Sequence, residues 1–154
     1  MSTARRPRTL YVDTGAFIAL LWRRDRAHRR VRTHFLRLRR DGDLLVTSDP
    51  VIAETATRLR YDAGLQAALE FQRIMENSVS AGSLRVRDAD PRLREAAFGV
   101  MARYGDLRLS YADCVGAVVA REIRADAVFG LDEDFRVMGF SLEPGLSSAH
   151  GSRR

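Results

Sequence analysis

Four carboxylates stand where they could share one task. Asp13 closes the short apolar run Thr9 to Val12, in YVDTGAFIAL, and Glu54 lies one turn inside a helical segment, in SDPVIAET. Asp113 opens a second helical segment, in LSYADCVGAVVA, and Asp132 follows the run AVFG, in FGLDEDF. Two unit charges about 4 Å apart repel by about 4 kcal/mol at an effective dielectric of 20. Several ionised carboxylates in one cleft therefore need a cation or must take up protons. With oxygen donors and no histidine or cysteine set at metal spacing, the fitting ions are hard, Mg²⁺ or Mn²⁺. Such an ion acidifies an attacking water and neutralises charge on a scissile phosphate. The chemistry implied is hydrolysis of a phosphodiester.

The pattern around these acids indicates what must position them. Thr9 to Val12, Leu44 to Thr47, Leu84 to Val86 and Ala127 to Gly130 read as strands, and Phe140 to Leu142 as a weaker fifth. Asp49-Pro50 and Asp90-Pro91 each place a capping carboxylate before a proline, so helices are predicted to begin there. Val51, Ile52, Thr55, Ala56 and Leu59 follow helical spacing, as do Ala112, Val115, Val119 and Ile123. Asp62-Ala63-Gly64 breaks the first of these, and a helix from Leu65 to Met75 completes a helical hairpin. Strands separated by helices need crossover connections. The expected fold class is therefore α/β, with a central parallel sheet in a three-layer α/β/α arrangement. In such sheets ligands bind beyond the carboxyl ends of the strands, where Asp13 and Asp132 fall.

A chain of 154 residues is expected to form a single domain, 1–154, with its core at about 9–143 and flexible basic tails at 1–8 and 147–154. One cysteine, Cys114, excludes a disulfide framework and any cysteine-based zinc site, and fits a reducing compartment. The apolar stretch Phe17 to Trp22 is too short for a membrane span or a signal-peptide core, so a cytoplasmic protein is expected. All 26 basic side chains are arginine. The absence of lysine excludes a P-loop and Schiff-base chemistry. A net charge of +6 suits a polyanionic partner.

Each acid also has a plain structural role open to it. Ser110-Tyr111-Ala112-Asp113 fits a capping box, Asp132 and Asp13 could cap the helices that follow them, and Glu54 could be a solvated helical glutamate. Between Arg23 and Arg40 the chain carries nine arginines against one acid, beside the apolar stripe Val31, Phe35 and Leu38. This is either a solvated helical face or a basic surface for RNA phosphates or acidic protein. His28, His34 and His150 are scattered, which argues against a histidine general base. Cys114 reads as a small buried hydrophobe; Tyr11, Trp22 and Tyr104 read as core rather than base-stacking residues.

Taken in order, D13-T14-G15, V51-I52-A53-E54-T55, L109-S110-Y111-A112-D113 and D132-E133-D134-F135 resemble the PIN domain family, across about residues 9 to 143. The resemblance implies a PIN-like fold and an Mg²⁺- or Mn²⁺-dependent endoribonuclease of the VapC-like toxin group, held inactive by a VapB-like antitoxin and acting as a homodimer. It matches Asp13, Glu54, Asp113 and Asp132 to the family's metal-binding acids and Thr14 to the hydroxyl beside the first of them. Many members carry Thr or Ser two residues before the fourth acid; Gly130 stands there in this chain, and Asp134 is a candidate substitute. A housekeeping RNA-processing nuclease and a non-catalytic basic RNA- or partner-binding module are the alternatives.

Overall fold

The computed structural model describes residues 4–145. Five strands form one sheet, β1 (Thr9–Val12), β2 (Leu44–Ser48), β3 (Leu84–Arg87), β4 (Ala127–Gly130) and β5 (Leu142–Pro144), in the order β3-β2-β1-β4-β5. Every pairing is parallel. The helices are α1 (Thr14–Leu21), α2 (His28–Arg40), α3 (Asp49–Asp62), α4 (Leu65–Ser80), α5 (Pro91–Arg103), α6 (Tyr111–Glu122) and α7 (Asp134–Val137). This is the expected three-layer α/β/α arrangement. From β1 the chain winds outward through β2 to β3, then returns to the other side of β1 with β4 and β5. The direction reverses between β1 and β4, which opens a crevice at their carboxyl ends.

Local chemistry accounts for the elements. β1 is fully sandwiched: Leu10 and Tyr11 are buried completely and Val12 almost so. Tyr11 faces α6, and strand alternation turns Leu10 and Val12 to the opposite layer. Helix α5 begins where Asp90 accepts a hydrogen bond from the Leu93 N–H, with Pro91 in the first turn. On α2, Val31 and Leu38 are buried as the stripe predicted, while most of the arginines lie on the exposed faces.

Four boundaries differ from expectation. Ser48, not Asp49, is the cap residue of α3; its extended backbone (φ −133°) leaves Asp49 inside the first turn, beside the positive end of the helix dipole. Helix α4 runs five residues past Met75, through a polar stretch without apolar periodicity. The arginine-rich segment is helical only from His28, because Trp22 to Ala27 forms the turn after α1. The last strand is Leu142–Pro144 rather than Phe140 to Leu142, since Gly139, at φ +96°, carries the turn that precedes it. Within the proposed N-terminal tail, Arg5 pairs with Asp41 and Asp43, and Arg8 pairs with Glu143. Residues 147–154, with His150, lie outside the described residues.

Candidate active site

Asp13 leaves the end of β1, its N–H donating to the Phe129 carbonyl of β4 at 3.0 Å, and so sits at the point where the winding reverses. A cleft of about 290 Å³ opens there, and Asp13, Thr14, Glu54, Asp113 and Asp132 all line it. Residues up to 119 positions apart in sequence are thus brought to one place. Asp134 is not among the residues lining the cleft; its N–H donates to Asp132 Oδ1 at 2.9 Å, which steadies Asp132.

The four acids are held differently. Asp13 is 4% exposed, and its Oδ1 has no hydrogen-bond partner among the described residues. It occupies the cap position of α1 without a side-chain capping bond. Burial pushes its carboxyl up to about 8. The negative charge of Asp113 adds to the rise, the Thr14 N–H opposes it, and Asp132 and Glu54 add smaller repulsions. Asp113 forms the capping box that its sequence offered: the Ser110 N–H donates to Oδ2 at 2.9 Å, and the Asp113 N–H donates to the Ser110 hydroxyl at 3.1 Å. Burial raises its carboxyl too, against the pull of those Ser110 bonds. Glu54 projects from the second turn of α3, where the Thr14 hydroxyl donates to Oε2 at 3.4 Å.

Capping and site-lining are therefore compatible roles for one side chain. A carboxylate has two oxygens, and Asp113 and Asp132 each commit one of them to a backbone N–H. Those bonds fix how Asp113 and Asp132 meet the cleft. Among the described residues no three His, Cys, Asp or Glu side chains already stand in a ready-made metal-ligand group. The donor set nevertheless fits a hard divalent ion: all oxygen, several charges, and one buried oxygen on Asp13 that nothing satisfies.

Arg58 and Ser110 also line the cleft. Arg58 stands one turn beyond Glu54 on α3, a spacing that could have been read, but one arginine among 26 gives no distinctive signal. His28 and His34 lie elsewhere: His28 Nδ1 is 2.7 Å from the Ala19 carbonyl, and His34 Nε2 is 3.1 Å from Glu143. Cys114 is fully buried behind Asp113. Tyr11, also fully buried, bonds Ser48 at 2.8 Å and is closed to bases.

A parallel sheet with carboxylates gathered where its winding reverses defines a class of acid-site α/β proteins, and the sequence places this chain within it. The PIN domain family matches residues 10–141, and the chain belongs to that family. Among solved structures it is similar to Mycobacterium tuberculosis VapC20, a toxin that cleaves the sarcin-ricin loop. The two share 26% sequence identity at a TM-score of 0.74, over 85% of this chain and 95% of that one. No curated protein matches the sequence.

Proposed function

We propose that the chain is a metal-dependent endoribonuclease that hydrolyses RNA phosphodiester bonds as the toxin of a VapBC-like toxin–antitoxin pair. The carrying observation is the buried, unpartnered Oδ1 of Asp13 in a cleft that three further carboxylates line. Membership of the PIN domain family and the likeness to VapC20 support the same reading.

Asp13, Glu54, Asp113 and Asp132 are the residues that would hold a divalent ion, Mg²⁺ or Mn²⁺. The ion supplies Lewis acidity to the scissile phosphate and a water acidic enough to attack near neutral pH. The chain's own residues do the positioning. Thr14 orients Glu54 through its hydroxyl, and the Ser110 cap fixes where Asp113 leaves α6. Arg58 brings positive charge to the rim, where the flanking RNA phosphates would pass.

As a toxin the protein would act in the cytoplasm, restrained by a VapB-like antitoxin. No described helix is long and apolar enough to cross a membrane. A homodimer would use the α3–α4 hairpin, where Tyr61 is 81% exposed and Leu65 and Leu69 are about half exposed. The decisive experiment incubates RNA with the protein and Mg²⁺ or Mn²⁺, with and without EDTA. Cleavage should require the ion and fall at least about 100-fold in Asp13→Ala and Asp113→Asn. Wild-type cutting rates in either variant would overturn the assignment. Growth arrest on expression, relieved by co-expressing the neighbouring small reading frame, separates a toxin from a housekeeping nuclease.

A further inference from the structure

A second cleft, of about 490 Å³, lies against α2 and is lined by Arg26, Arg29, Arg30 and Arg37 together with His34 and Pro144. Among the described residues none of these four arginines has an ion-pair partner. The nearby acids are already committed. Asp25 accepts the Ala27 N–H at 2.8 Å, and Glu143 is held by Arg8 through two bonds of 2.7 and 2.9 Å. Asp25 keeps its own charge and Glu143 also reaches His34 at 3.1 Å, but four arginines without ion pairs leave the cleft with a net positive charge. A neighbouring depression on the same helix shares Arg29 and adds Arg23 and Arg32, extending the charge around the helix.

Its position relates it to the acid cleft. Pro144 pairs in register with Gly130, and a Cβ built on Gly130 would lie 3.2 Å from the Cβ of Asp13. One strand spacing of about 4.8 Å thus separates the wall of the arginine cleft from the backbone that abuts Asp13, at the same end of the sheet. Like charges crowded in a concavity repel one another unless a polyanion comes between them. Resting on the nuclease reading, we infer that the α2 arginine cleft binds the phosphate backbone of the RNA substrate beyond the scissile nucleotides, so that the preferred substrate is RNA long enough to cross β5. Arginine suits this role because its planar fork donates to two phosphate oxygens at once.

Binding is measured by fluorescence anisotropy in EDTA, where cleavage plays no part, using a labelled single-stranded RNA of mixed sequence and a labelled poly-glutamate peptide. The test variant is Arg26→Gln, Arg29→Gln, Arg37→Gln, all exposed positions. At about 0.15 M salt it should bind the RNA at least about tenfold more weakly. Its log affinity against log salt should be shallower by about 2, as for three lost phosphate contacts on a single strand. Its urea midpoint should match the wild type. RNA affinity and salt slope equal to the wild type overturn the inference; so does loss of poly-glutamate binding with RNA binding kept, which would assign the cleft to an acidic protein. Adding MgCl₂ or, in a parallel arm, MnCl₂ to the wild type on the same RNA scores the nuclease reading separately. RNA that is bound but never cut sinks that reading alone.

Discussion

A Cβ added to Gly116 would stand 2.7 Å from Cε1 of Tyr11, so α6 packs on β1 at a separation that only glycine permits. Tyr11 cannot easily yield, because its ring is buried and its hydroxyl is bonded to Ser48. Asp113 lies three residues earlier on the same helix, so the distance from Asp113 to Asp13 is set by this contact. Gly116→Ala should destabilise the protein by about 1–3 kcal/mol and weaken Mn²⁺ binding severalfold. Gly99 on α5, with nothing within 4 Å of its Cβ position, is the internal control. There the same change should stabilise by about 0.5–1 kcal/mol through helix propensity. Urea unfolding of both variants checks the sign, and equal effects would refute the packing argument.

Asp13 governs a pH dependence of stability opposite to that of an ordinary surface carboxylate. Its folded pKa of about 8 exceeds the unfolded value near 3.8, so between these limits the folded state holds a proton that the unfolded state has lost. Stability from this group is greatest at low pH, declines as pH rises from about 4 to about 8, and is level above. Asp13→Asn cannot ionise. In EDTA it should match the wild type near pH 4 and exceed it by on the order of 5 kcal/mol at pH 8, about four pKa units at about 1.4 kcal/mol each. A stability advantage independent of pH would show that the burial of this charge had been misread.

Glu143 acts with the opposite sign. The two Arg8 hydrogen bonds hold its carboxyl below the usual range, with burial opposing and His34 helping. A depressed folded pKa contributes stability above the unfolded value that is lost as pH falls through the folded one. Glu143→Gln should therefore cost about 1–3 kcal/mol at pH 7, as expected for charge-assisted bonds, and less as the pH drops below about 4. Chemical denaturation at two pH values separates this from a pH-independent packing loss.

Much of this arrangement can be read from the sequence because its signals are local. The apolar runs at Thr9, Leu44 and Ala127 mark the three central strands, and acids at their ends or in the helices that follow are legible once a parallel sheet is expected. Two kinds of information are not local. In Ser48-Asp49-Pro50 two good capping residues adjoin, and only the backbone path decides that Ser48 takes the role. At Asp113 the capping box is visible from the sequence, whereas its coexistence with a place in the cleft depends on α6 meeting β1. Arg58 is a third case, since side-chain type carries little information in a chain this rich in arginine.

The two outermost strands also limit how copies of the molecule can associate. On one flank β3 places Arg85 and Arg87 along the exposed border, with Arg87 tied back to Glu122 at 3.2 Å. On the other, β5 is three residues long, ends in a proline that has no N–H to donate, and has α2 packed against it. Charge on one border and brevity on the other guard against runaway strand-by-strand polymerisation. Helical surfaces are left as the ground on which a second molecule can settle.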